Sequence, residues 1–107
     1  PKHLFYVYGT GNERVSSRGQ NALLTAMRLK LVGEMLEPLT AVASLAEGEM
    51  GLTNNVARSA TQGLKQYYPN EGSTGHDVML TADAAVDDIK TFLEQLNSPE
   101  GVPTLIP

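Results

Sequence analysis

Apolar positions fall into distinct patterns along the chain, and each predicts a different element. Leu4 to Tyr8 is an unbroken aliphatic and aromatic run that ends abruptly in Gly9-Thr10-Gly11-Asn12. A short run of this kind predicts a strand covered on both faces, the central strand of a parallel sheet. From Arg18 the spacing turns helical, with Leu24, Met27, Leu31 and Met35 on one stripe and Arg28, Lys30 and Glu34 off it, so a helix is predicted that stops near Pro38. Leu39, Val42, Ala43 and Ala46 predict a second short helix that breaks at Gly48 and Gly51. Asn54 then caps a third, which carries Val56, Ala60 and Leu64. Lys65 to Tyr68 predicts a second strand, and Pro69-Asn70-Glu71-Gly72 a turn. The last helix is predicted with Thr81 as N-cap, Asp83 in its first turn and Ala85, Ile89, Phe92 and Leu96 on one face, ending at Asn97-Ser98-Pro99.

Strands alternating with helices imply an α/β fold with a partial parallel sheet of about two strands flanked by helices. Residues 1–98 form that unit, with a helical insertion over about 36–62, and residues 99–107, with three prolines and Gly101, read as an extended tail without chemistry. Two strands leave long edges unpaired, so further strands, from a partner or from another part of the same protein, are expected to complete the sheet. The start Pro1-Lys2-His3 is neither a signal peptide nor an initiator methionine, which predicts a processed or excised piece.

Composition narrows the chemistry. Eight Lys and Arg against twelve Asp and Glu give a formal charge of −4, and no basic block is present to meet a phosphate backbone, which argues against nucleic acid as a partner. There is no cysteine, hence no thiolate nucleophile and no Cys-based zinc site. No apolar run approaches the roughly 18 residues that span a bilayer, so no transmembrane segment is predicted.

Two loops concentrate the reactive residues: Gly9-Thr10-Gly11-Asn12-Glu13-Arg14-Val15 after the first strand, and Gly72-Ser73-Thr74-Gly75-His76-Asp77-Val78-Met79-Leu80 ahead of the last helix. Polar glycine-containing loops at strand ends are where open α/β sheets mount reactive side chains. The first loop, followed by Ser16-Ser17 and a helix, resembles the segment of α/β-hydrolases that leaves the seventh strand and carries the catalytic acid. The second resembles the segment after the eighth strand, where a Gly-His pair presents the catalytic histidine shortly before the closing helix. Their order along the chain is that of the family. The resemblance implies the C-terminal part of an α/β-hydrolase-like three-layer sandwich, acting as an esterase or lipase on an ester or related acyl bond. It calls for no cofactor and no metal, and for two partners: the remaining N-terminal part of the hydrolase and a small-molecule acyl substrate.

Within that resemblance His76 takes the place of the catalytic histidine, which passes a proton between a serine hydroxyl and the leaving group. The position matching the family's aspartate is Asn12, and an amide does not offset imidazolium charge; the corresponding Asp-to-Asn change in a serine protease costs about 10⁴ in turnover. Three readings stay open: Glu13 supplies the carboxylate, the acid follows another strand, or the site has lost its acid. Asp77 adjoins His76, but neighbouring side chains of an extended segment diverge. No serine lies in a Gly-x-Ser-x-Gly elbow, since Ser44 and Ser59 fall in the predicted helices and Ser73 in the histidine loop, so the nucleophile is expected outside this chain, which alone is inactive.

The stretch from Leu36 to Gln62 has two readings: a lid bending at Gly48 and Gly51 with Leu39, Val42, Leu45, Met50 and Leu52 over an acyl-binding cleft, or ordinary packing helices. Two rival functions remain. One is a small nucleotide- or phosphate-binding domain using Gly9-Thr10-Gly11-Asn12, which lacks the glycine spacing of phosphate loops. The other is a non-catalytic helical interaction subunit built on four amphipathic segments.

Overall fold

The first apolar run forms β1 (Leu4–Gly9), and its alternate residues serve opposite faces of a sheet. In the computed structural model, which describes residues 1–107, β1 runs parallel to β2 (Gln62–Tyr67), with Leu4 opposite Gln62 and Gly9 opposite Tyr67. Between them comes α1 (Ser17–Met27), and after β2 a 3₁₀ turn (Gly75–Asp77), α2 (Val78–Thr81) and α3 (Asp83–Leu96). Tyr8 packs with Leu24 of α1, Leu29, Leu31, Leu39 and Leu64. Phe5 and Val7, on the other face, pack with Tyr67, Val78, Ala82 and Ala85, and Phe5 also stacks at 5.6 Å on Phe92 of α3. The result is a small α/β fold, with α1 over one face of the parallel pair and α3 over the other.

The predicted last helix is found, although its start differs. Thr81 ends α2, where its hydroxyl donates to the Asp77 carbonyl (2.9 Å), and Ala82 occupies the N-cap of α3 with no side-chain cap, leaving Asp83 to face the helix dipole. The second strand is also found, beginning three residues earlier than predicted because Gln62 to Leu64 join the ladder.

The middle of the chain departs from its helical spacing. No helix occurs between Arg28 and Gln62, so the helical insertion over 36–62 and the continuation of α1 to Pro38 are corrected. Arg28 takes a left-handed conformation (φ 54°), and the Leu29 amide folds back onto the Leu24 carbonyl at 3.3 Å, closing the helix. The cause is sheet pairing. Leu31 bridges Leu64 on one side and Ser44 on the other, with Val32 N donating to Leu64 O and Leu64 N to Lys30 O, so short extended pieces take the far edge of β2. This makes β2 the inner strand, and β1, predicted to be central, pairs with β2 alone.

The predicted lid is likewise absent as a helical cover. Leu39 and Leu52 are core residues, Met50 is exposed, and the chain from 36 to 61 packs as irregular structure against the sheet. Ser44 and Ser59 therefore lie in a bridge and a turn rather than in helices.

Residues 99–107 are part of the core. Leu105 exchanges both backbone hydrogen bonds with Leu52 (2.8 and 2.9 Å), and its side chain is buried with Val32, Leu52 and Phe92. Thr61, at the entrance to β2, joins the two ends: its amide donates to His3 Nδ1 (2.9 Å) and its hydroxyl to the Pro103 carbonyl (2.7 Å). Truncating the buried Leu105 to alanine is expected to cost about 3 kcal/mol, the range for a leucine removed from a packed core. Urea unfolding checks this, and a cost below about 0.5 kcal/mol, as for surface positions, would make the tail an appendage.

Candidate functional site

The two singled-out loops meet at a pair of glycines. A Cβ on Gly9 would run into the Gly75 carbonyl, and one on Gly75 would run into the carbonyl oxygens of Gly9 and Thr10. Neither position has room for a side chain, so backbone lies directly on backbone where β1 ends and the 3₁₀ turn begins. His76 follows Gly75 immediately. The contact thus places the imidazole beside the tip of β1.

His76 and Asn12 line the same cleft, together with Val15, Gln20 and Met79. His76 is exposed, and its imidazole makes no hydrogen bond to the protein. The loop beneath it is tied by local bonds: Ser73 N to Asn70 O, Asp77 N to Thr74 O, and Ser73 Oγ against Thr81 Oγ1 at 3.2 Å. Ser73 is consequently a loop tie. The other histidine, His3, lies at the opposite end of β1 and accepts the Thr61 amide.

Asn12 has a structural task of its own. Its Oδ1 accepts from the amides of Arg14 (2.9 Å) and Val15 (3.0 Å), an Asx turn that shapes the loop before Ser16 caps α1 through the Gly19 amide. With both bonds on Oδ1 and only a donor NH₂ left, Asn12 offers no free acceptor to a histidine N–H. Glu13 is exposed and makes no ion pair or hydrogen bond. The structure therefore brings Asn12 and His76 together and leaves Glu13 on the surface of the loop. Asp77, adjacent to His76, is also exposed.

One residue escaped the sequence reading. Glu37 accepts from Tyr8 OH (2.8 Å) with one carboxylate oxygen and from the Gly11 amide (3.0 Å) with the other, gripping the loop from the α1 face. Glu37 is itself held by Gln66 of β2, whose side-chain oxygen accepts from the amides of Leu36 and Glu37 and whose NH₂ donates to the Glu37 carbonyl. Burial, reinforced by the Glu37 hydrogen bond and charge, pushes the Tyr8 phenol well above its ordinary value. No local signal marks Glu37, because its partners lie 26 to 29 residues away and its own segment is irregular.

A second phenol–carboxylate contact braces the other face. Asp88 of α3 accepts from Lys65 Nζ (2.7 Å) and Tyr67 OH (2.6 Å) on the same oxygen. Burial first, then the Asp88 bond and charge, raises the Tyr67 phenol in the same way. No group of three or more His, Asp or Glu side chains converges as a metal-ligand set. No helix is long and apolar enough to cross a membrane. Comparison with family models, with curated proteins and with solved structures gives no match to this chain.

Two outcomes follow from this geometry. Gly75→Ala is expected to destabilise the fold by about 2 kcal/mol, since the clash is with backbone and not with a movable side chain, and to shift the Asn12 and His76 NMR signals together; urea unfolding and a two-dimensional spectrum check it. The raised phenols set the alkaline limit. An unfolded tyrosine loses its proton near 10.0, whereas folded Tyr8 and Tyr67 keep theirs to higher pH. Their contribution is therefore fully present below pH 10 and is lost as pH rises beyond it. Tyr8→Phe and Tyr67→Phe should each flatten that decline in a pH series of unfolding curves.

Proposed function

We propose that this chain is the C-terminal part of a serine-type α/β-hydrolase that cleaves an ester or related acyl bond, with His76 as the proton carrier. The observation that carries the reading is the meeting of the two loops at Gly9 and Gly75, which sets His76 and Asn12 at one cleft beyond the carboxyl ends of two adjacent parallel strands. A triad needs that juxtaposition, because the histidine and the residue that orients it come from different strand ends. The chain order of acid loop, histidine loop and closing helix supports it further.

In this reading His76 takes the proton of a serine hydroxyl as its oxygen attacks the acyl carbonyl, and returns it to the departing alcohol. The serine and the oxyanion amides belong to the N-terminal part of the hydrolase, and the whole forms the three-layer sandwich of that family. The exposed imidazole, free of protein partners, is open to such a hydroxyl. Asn12 stands at the acid position with its carbonyl oxygen committed to the Asx turn, so the site lacks a carboxylate on this loop face unless Glu13 swings inward. Glu37 acts below the loop as a brace, holding Gly11 and so fixing where residue 12 sits.

The test uses the chain expressed together with the coding sequence upstream of Pro1, assayed with a p-nitrophenyl ester and a fluorophosphonate label. His76→Ala is expected to lower turnover by about 10²- to 10⁴-fold; an unchanged rate would sink the proposal. Asn12→Asp keeps the acceptor that the Arg14 and Val15 amides need and is expected to raise turnover by at least about tenfold. An unchanged rate in that variant would place the orienting acid after another strand.

A further inference from the structure

The corner where the first and last segments of the chain meet is held by the histidine that the hydrolase reading leaves unused. His3 is half-buried, and its Nδ1 accepts the Thr61 amide at 2.9 Å. An imidazole accepts only at a nitrogen that carries no proton, so this bond requires neutral His3 with its proton on Nε2. Thr61 is fully buried, and its other polar groups are engaged as well. Its carbonyl accepts the Leu4 amide (2.9 Å), and its hydroxyl accepts the Asn54 amide (2.9 Å) while donating to the Pro103 carbonyl (2.7 Å). One residue thus ties the segment before β1, the loop before β2 and the tail.

The loop that Thr61 closes is strained. Ala57 and Arg58 both take positive φ (51° and 56°), as at the centre of a primed turn, a conformation that suits glycine and asparagine rather than these side chains. Asn54 is also left-handed (φ 49°), and its Oδ1 is buried without a partner in the protein. Left-handed residues and orphaned acceptors persist where surrounding bonds over-determine the backbone. Here those bonds are the Val56–Ala60 pair, the two bonds between the Asn55 side chain and the Gln62 backbone, and the anchors on Thr61.

From these features we propose that His3 is an acid-sensitive latch, whose protonation releases the Thr61 amide and lets residues 1–3, the 54–60 loop and the start of the tail loosen from β2 together. Both nitrogens of an imidazolium are donors, so an N–H on Nδ1 meets the Thr61 N–H and the contact turns from a bond into a repulsion. The buried amide is then left without an acceptor, which favours opening the corner to water. The charged groups on the segments that meet His3 are Lys2 beside it, Arg58 on the loop and Glu100 on the tail, and none of them forms an ion pair. On α3, Asp88 is taken by Lys65 and Tyr67, and Lys90 and Glu94 face each other at 4.0 Å. No carboxylate is therefore paired with the imidazole in the closed form, and Lys2 and Arg58 add positive charge beside it. Leu105, bonded to Leu52 and packed on Phe92, anchors the tail beyond the latch, so the opening is local. His76 takes no part, since it lies at the other end of β1.

The test is an NMR titration of the full chain from about pH 8 to about pH 5, the range in which imidazoles ordinarily change charge. At the upper end His3 should carry its proton on Nε2, and the Thr61 amide should be protected from exchange. Toward the lower end that protection, corrected for the intrinsic rate, should fall by at least about tenfold, as for loss of one buried hydrogen bond. The fall should track the His3 imidazole shifts, while the Leu105 and Tyr8 amides keep their protection. His3→Gln, whose side-chain oxygen is an acceptor that does not titrate, should hold Thr61 protected across the range, and His76→Gln should leave the Thr61 titration as in the parent chain. In the parent chain alone, a proton on Nδ1 of His3 at the upper end, or Thr61 protection that acid does not change, would overturn the proposal. So would a fall that persists in His3→Gln. A fall shared equally by Leu105 and Tyr8 would overturn it too, since the whole fold and not this corner would then be opening.

Discussion

The close approach of Gly9 and Gly75 is the constraint on which the arrangement of this molecule turns. Each lacks the side chain that would hold the two segments apart, and the missing volume lets the end of β1 rest against the start of the 3₁₀ turn. Asn12 and His76 each lie within three residues of that contact. The imidazole is not positioned by hydrogen bonds of its own, since it makes none to the protein. It is positioned by the backbone on which it stands, and that backbone is fixed by Gly75, by the local ties of the Ser73–Thr81 loop and by burial of Val78.

Around that point polar side chains, one buried and two half-buried, brace the fold. Glu37 and Gln66 link the irregular middle of the chain to the tip of β1, and Asp88 links α3 to Lys65 and Tyr67 of β2. Each brace pairs a carboxylate with a tyrosine hydroxyl at a sheet face, where an unbonded phenol would be costly. The braces also explain why an irregular segment of more than thirty residues is compatible with an ordered fold: its backbone groups are answered by β2, by Gln66 and by Leu105.

Much of the framework was legible in the residues, for reasons that separate the parts that were read from those that were not. β1 announced itself by an unbroken apolar run, and α3 by a clean stripe through Ala85 and Phe92, both of which are buried. The two loops could be singled out because glycine, a polar residue and a strand end coincide in each. The middle was misread because Leu24, Met27, Leu31 and Met35 keep helical spacing while serving different structures: Leu24 lies in a helix, Leu31 in a sheet bridge, and Met27 and Met35 are exposed. Periodicity reports what local spacing permits. Pairing of Leu31 with Leu64, decided by residues more than thirty positions apart, overrode it. Glu37 was beyond reach for the same reason, as was the border position of β1, which depends on Lys30 to Val32 occupying the far side of β2.

The two hydrogen bonds of Thr61, amide to His3 and hydroxyl to Pro103, have a consequence for architecture. They gather the first and last extended segments at one corner, below the start of the sheet and away from His76. The two segments share one anchor at the entrance to β2, so loosening Thr61 would free both of them together.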